Sequence, residues 1–371
     1  MVLAIIPMRR MHRPTTTIRR RAVLTHRTAA DTTAQRTPTA QSGRVDWVDL
    51  AKGISIALVV LLHSTNFLVA RGLAPGIWND INAVAEPVRM PLFFLTAGLF
   101  AHKVTTLAWK AVIHRRVLPL VYLYLMWTVL RFVFFSVFPD TAGTAETSSP
   151  LNLITALVVP TSGLWFIYAL AVYTVLTKAL SGIDYRVQLL GAIALAFVAP
   201  SIGGVDWTWG NMMELLVFFL AGAHLQQMIR AAAASTTLTR VAVTAAGFAL
   251  MYVLHLQGHI TSVGAATILL SSLGLLVGIT AASHLQTARV LAPFRKLGTL
   301  TLPVYLLHEI LLGIAVVGAV HAGFDFTRNA LLVFGPLLVA AIAIGGSLVI
   351  HAALTSAGQR WLFVMPRRTT S

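Results

Sequence analysis

Runs of about 20 mostly apolar residues recur along this chain, and that spacing restricts its fold more than any other feature. A helix rises ~1.5 Å per residue, so such a run spans a hydrocarbon layer of ~30 Å. Inside lipid every backbone N–H and C=O must be satisfied internally, which leaves helices or closed barrels. The runs lack the strict period-two alternation of barrel strands, so helices are expected. Hydrophobic residues fill 57% of positions and charged ones only 11%, against about a quarter charged in soluble domains. The expected class is therefore an all-α, polytopic membrane protein.

Ten spans are expected, at 48–69, 84–100, 117–138, 164–180, 187–199, 211–228, 241–256, 261–282, 300–320 and 330–353. The fifth is short. Residues 151–160 are apolar but too few to cross, so they are expected to lie at the interface or re-enter. Basic residues test the count. Arg71 and Arg328 fall in odd-numbered loops, and Lys52, Arg89 and Arg131 in or near helices. Every other Lys and Arg falls in an even-numbered loop, at the edge of one (Lys178, in the last turn of the fourth span) or in a tail. Dropping one helix would invert all later loops, so the asymmetry predicts both termini in the cytoplasm. Residues 1–44, with nine arginines, read as a disordered basic cytoplasmic tail. Residues 45–356 form the ten-helix domain, and 357–371 a second basic tail. The expected location is the cytoplasmic membrane.

The formal charge of +16 follows topology, and no nucleic-acid-binding motif accompanies it, so no nucleic-acid partner is expected. Cysteine is absent, which excludes disulfides and a thiol nucleophile. No HExxH or Cys/His ligand spacing occurs, so no metal is expected.

Ionisable residues inside spans are costly and mark function. The first span, DLAKGISIALVVLLHSTN, carries Asp49, Lys52, His63 and Asn66. At ~100° per residue, Lys52 and His63 lie about 20° apart on one face, separated by a rise of about 16 Å. Lys52 is placed near the cytoplasmic end, where it can snorkel, and His63 toward the outer half. Arg89 opens RMPLFFLTAG, where Pro91 suits a first helical turn. Tyr305 and His308 are neighbours on one helical face, while Glu309 points about 100° away toward a different contact. Toward the outer face, Trp78, Asp80, Glu86, Asp206, Trp207, Trp209 and Glu214 cluster. The tryptophans suit an interfacial belt, and the acids could bond sugar hydroxyls.

Five segments in order carry a family resemblance: RVDWVDLAKGISIALVVLLHS, RMPLFFLTAGLF, HRRVLPLVYLYL, GLWFIYAL and GTLTLPVYLLHEI. Together they resemble the acyltransferase 3 family of membrane O-acyltransferases over about residues 44–356. The opening motif stands here with Lys52 in place of Arg, followed by His63; Thr96 stands where Ser is common. The resemblance implies transfer of an acyl group, usually acetyl, from cytoplasmic acyl-CoA (acetyl-CoA) to a hydroxyl on a carbohydrate, envelope glycan or small-molecule acceptor. Acyl transfer needs a base, an oxyanion stabiliser and a dock for the anionic donor. His63 is the candidate base, because imidazole titrates near working pH. Arg89, Tyr305 and His308 are candidates for holding acceptor or oxyanion. Lys52, Arg115 and Arg116 are candidates for CoA phosphates, although the arginine pair also serves as a topology determinant. Direct attack on the thioester and an acyl-His63 intermediate both remain open. The competing class is a transporter or flippase for a polar or lipid-linked substrate, which the absence of repeated halves disfavours.

Overall fold

The computed structural model describes residues 46–141, 149–160, 162–324 and 333–366, and the basic tail assigned to 1–44 lies outside them. Among the described residues there are helices and turns and no strand. Eight helices are long and apolar enough to cross a membrane: Asp46–Val69 (α1), Ile77–Ala101 (α2), Trp109–Val137, Trp165–Gly182, Leu238–Leu256 (α10), Val263–Leu285 (α11), Thr301–His321 (α13) and Gly335–Ser356 (α14). The third comprises α3 (Trp109–Val112), a π-helical turn Ile113–Val117 and α4 (Leu118–Val137). The fourth begins with α6 (Trp165–Ala179). A bent pair, α8 (Trp207–His224) and α9 (Gln226–Ala234), makes up to nine. The short fifth span appears as α7 (Tyr185–Val198). All ten expected apolar segments are thus helical, wholly or in large part, with two differences from ten straight spans.

The first difference is the sixth span, which breaks at Leu225, where the chain turns by 79° into α9. Its cause is local: polar Gln226, Gln227 and Arg230 follow the apolar run. Gln226 then donates from Nε2 to the Leu99 carbonyl at 3.0 Å, satisfying an acceptor near the end of α2. The second difference is that α7 is short.

Residues 151–160 form one short helix, α5 (Leu151–Thr155), and then irregular chain. Irregular backbone at membrane depth survives only where protein groups satisfy it. Here Tyr124 Oη donates to the Ala156 carbonyl at 2.6 Å, and Trp209 Nε1 to that of Val158 at 3.0 Å. This segment delivers Gly163 to the interior.

Helix α1 packs against α2, α11, α13, α14 and the short α12 (Ala292–Thr299). A helix surrounded in this way cannot send its polar stripe to lipid, so the stripe faces protein. Helices α2 and α8 meet at Gly98 and Gly222, where a Cβ on either would strike the partner's backbone, at the Phe219 and Leu95 carbonyls respectively. Close approach through small residues is the usual packing device in lipid.

Candidate active site

Three helices and one loop contribute one buried cluster. Helix α1 supplies His63, α13 supplies His308 and Glu309, and α4 supplies Arg131; the loop before α6 closes it with Gly163. Arg131 Nη2 donates to Glu309 Oε2 at 2.5 Å, and both side chains are almost fully enclosed. The other carboxylate oxygen, Oε1, lies 3.6 Å from His63 Nε2 and 3.9 Å from His308 Nε2. It accepts no hydrogen bond among the described residues. His63 and His308 stand ring to ring, with centroids 5.1 Å apart.

The tautomer of His308 follows from its partners. Nδ1 lies 2.8 Å from the Tyr305 carbonyl and 3.1 Å from that of Val304. Carbonyls only accept, so Nδ1 carries the proton and the neutral ring presents a bare Nε2 toward the cluster. Gly163 is demanded by the same packing, because a Cβ there would strike the Glu309 carboxylate.

Two cavities meet beside this cluster. One is a throat of about 40 Å³, lined by Lys52, Phe100, Thr96, Phe93, Phe166 and Tyr305 together with further apolar side chains. The other is a vestibule of about 790 Å³, whose wall includes His63, Arg89, Glu86, Glu214, Trp207 and Tyr252. Phe93, Phe166 and Tyr305 belong to both, so they form the partition between them. The rings of Phe93 and Phe166 are 4.6 Å apart at their centroids. Tyr305 is pinned in place: its hydroxyl donates to the Gly163 carbonyl at 2.6 Å and accepts from the Phe166 N–H at 3.2 Å.

The sequence-predicted residues divide accordingly. His63 and His308 come together. Tyr305 is close by, but its hydroxyl is engaged with backbone, which makes it a wall rather than a free donor. Arg89 is 4% exposed, lines the vestibule, and has Nε and Nη1 buried without a partner. Lys52 does not snorkel; it is buried in the throat, paired with Asp49 at 2.9 Å and placed over the Phe100 ring. Arg115 and Arg116 lie outside the throat lining, on the π-helical turn ahead of Leu120, a throat residue. That turn precedes Pro119, which lacks an N–H, and the Leu118 N–H reaches back to the Ile113 carbonyl. Arg116 has a buried Nη1 without a partner.

Arg131 and Glu309 are absent from the predicted site. The signal available for them was charge counting, since an Arg in the middle of an apolar run needs an acid from elsewhere. His63 Nε2, His308 Nε2 and Glu309 Oε1 also lie within 4.8 Å of one another, a set able to hold a metal ion. The expectation of no metal rested on local spacing motifs, which cannot detect ligands drawn from two distant helices.

A many-helix membrane protein with a buried histidine cluster between a narrow apolar throat and a wide polar vestibule is the class that fold and site define. Residues 45–355 match the acyltransferase 3 family, described as an acyltransferase domain, and the chain belongs to that family. It is a multi-pass cell-membrane protein. Inner membrane protein YcfT of Escherichia coli (strain K12) is 23% identical over 199 residues, covering 48% of this chain and 55% of that protein. The chain thus matches about half the length of that curated relative. No solved structure matches it.

Proposed function

We propose that this membrane acyltransferase moves an acyl group, acetyl in the first instance, from cytoplasmic acyl-CoA to an acceptor hydroxyl held in the vestibule. The observation that carries this reading is the partition: His63 borders the wide polar cavity directly behind the wall that ends the narrow apolar throat. The throat suits a pantetheine arm, and the vestibule suits a carbohydrate or other polar acceptor. The distribution of basic loops supports a cytoplasmic Lys52 end, with both termini on the same side. CoA phosphates would then meet Lys52 and the unpartnered Nη1 of Arg116, with Arg115 adjacent.

In the proposed step the acceptor hydroxyl loses its proton to His63 as its oxygen attacks the thioester carbonyl. The oxyanion is met by the unpartnered N–H groups of Arg89. Collapse breaks the carbon–sulfur bond, forms the ester, and returns the proton from His63 to the CoA thiolate. Glu309 Oε1, 3.6 Å away, stabilises the imidazolium, and Arg131 holds that carboxylate in place. His308 supports the ring of His63 from behind and does not border the vestibule. A proton is a better occupant of the cluster than a divalent ion, because Arg131 already balances the charge of Glu309. An ion would add uncompensated positive charge in a low-dielectric interior.

His63→Gln is the test. Turnover should fall on the order of 10²–10⁴-fold, the usual worth of a general base. Binding of radiolabelled acyl-CoA to the same membranes should persist. Near-normal turnover in His63→Gln would reduce His63 to a structural donor, and failure of the wild type to bind acyl-CoA would overturn the donor assignment.

A further inference from the structure

The vestibule wall carries amide and carboxylate acceptors, one of them buried without a partner. Asn82 is 5% exposed, and its Nδ2 donates to Thr65 Oγ1 at 2.9 Å and to the Trp78 carbonyl at 2.8 Å. A carbonyl cannot donate, so this amide has one orientation, and its Oδ1 is left buried without a partner at the cavity wall. Asn211 turns an amide hydrogen the same way, to the Trp207 carbonyl at 2.8 Å. Glu86 from α2 and Glu214 from α8 border the same cavity, and neither has an ion-pair partner among the described residues. Arg89, on the same wall, lies one turn deeper along α2; it feels the charge of Glu86 but makes no ion pair within 4 Å with either acid among the described residues. Helix α2 therefore presents Asn82, Glu86, Arg89 and Phe93 on one stripe, passing from acceptors through a donor to the throat.

Two carboxylates sharing a partly enclosed cavity repel each other, and a buried amide oxygen without a donor costs free energy. A ligand that brings donors and positive charge relieves both. The aromatic groups fit such a ligand, since Trp165 and Trp207 stand edge to face at 6.0 Å and Tyr252 lines the same cavity. Cations favour aromatic faces. We infer that the acceptor carries a protonated amine, as an amino sugar does, held by Glu86, Glu214 and the Asn82 oxygen while a separate hydroxyl meets His63. This rests on the acyl-transfer reading and narrows it. An ammonium has no lone pair, so binding it at the acids also directs attack to oxygen rather than nitrogen.

Binding isotherms on the purified full-length chain, without donor, test the inference with D-glucosamine, D-glucose and D-glucuronate at a pH where the amine is protonated. Glucosamine should bind about tenfold or more tightly than glucose, the scale of one charge-assisted hydrogen bond, and glucuronate least of the three. Glu86→Gln and Glu214→Gln should each shrink that preference, and the double substitution should abolish it. Equal binding of glucose and glucosamine by the wild type overturns the inference, whatever the variants do. So does tightest binding of glucuronate, or a preference that survives the double substitution. Acyl transfer is measured separately, so amine selectivity without transfer would strike the transfer reading alone.

Discussion

Arg131→Met removes the guanidinium while keeping a long side chain. Arg131 and Glu309 have side chains 2% and 6% exposed and meet at 2.5 Å, so neither charge has water to fall back on. Removing one partner of a buried pair costs about 3–5 kcal/mol, because the other charge is stranded or must take up a proton. The same loss should follow Glu309→Met, which strands Arg131. Replacing both by Met substitutes apolar groups for the pair, which is often neutral or stabilising by about 1–4 kcal/mol. The double variant should therefore unfold near the wild-type midpoint, giving a coupling energy of several kcal/mol in the double-mutant cycle. Turnover behaves differently. All three variants lack a fixed carboxylate opposite His63 and should be slow, including the stable double one. Chemical denaturation in detergent and turnover on the same preparations measure both halves. A loss below about 1 kcal/mol in Arg131→Met would show that the pair is not the electrostatic support argued here. A fully active double variant would remove Glu309 from the chemistry.

Other substitutions probe neighbouring parts of the site. Lys52→Ala should raise the acyl-CoA concentration needed for half-maximal rate on the order of tenfold while leaving the acceptor requirement unchanged, and Lys52→Arg should retain most activity. Steady-state kinetics with each substrate varied in turn decides it, and unchanged donor affinity in Lys52→Ala would withdraw the phosphate contact. Gly163→Ala places a methyl group against the Glu309 carboxylate and should cut turnover on the order of 10²-fold, the usual effect of an ångström-scale displacement. Retention of full rate in a folded Gly163→Ala protein would mean that the carboxylate position does not matter. Turnover should be indifferent to EDTA and phenanthroline. Stoichiometric zinc by elemental analysis, with activity lost on chelation, would replace the proton reading of the cluster by a metal one.

Much of the helical architecture was legible because lipid leaves the backbone few choices. A run such as ISIALVVLL, without period-two alternation, is helix rather than barrel strand at membrane depth, and the eleven-residue interval from Lys52 to His63 fixes a common face from helical geometry alone. What lay beyond reach was pairing between helices. Arg131 and Glu309 are 178 residues apart in sequence, and no periodicity within either helix names the other. Helical geometry does direct the Cα–Cβ bonds of His308 and Glu309 about 100° apart. A glutamate side chain nevertheless spans the gap, leaving Oε1 at 3.9 Å from His308 Nε2 while Oε2 turns to Arg131. Lys52 reads as an interfacial anchor on an isolated helix, and only the crowding of α1 by five others buries it. The fate of the Tyr305 hydroxyl is equally hidden, since its partners are backbone atoms of the loop before α6 and of the first turn of α6.

The position of His63 sets a constraint that any transfer through these cavities must meet. The acyl group would travel from the throat to the vestibule, and the proton of the acceptor hydroxyl would travel the other way to the departing thiolate. On the proposed reading His63 exchanges with both, yet a path open to both cavities at once would let water reach the thioester. The partition answers this with two phenylalanine rings and one tyrosine whose hydroxyl is tied down by the backbone of the α6 entry. Tying Tyr305 to Gly163 also ties the seal to Glu309, because Gly163 packs directly on that carboxylate. Movement of the α6 entry that widened the throat would therefore also disturb the carboxylate that supports the base. On the proposed reading, admission of the donor and readiness of His63 would be coupled through one residue without a side chain.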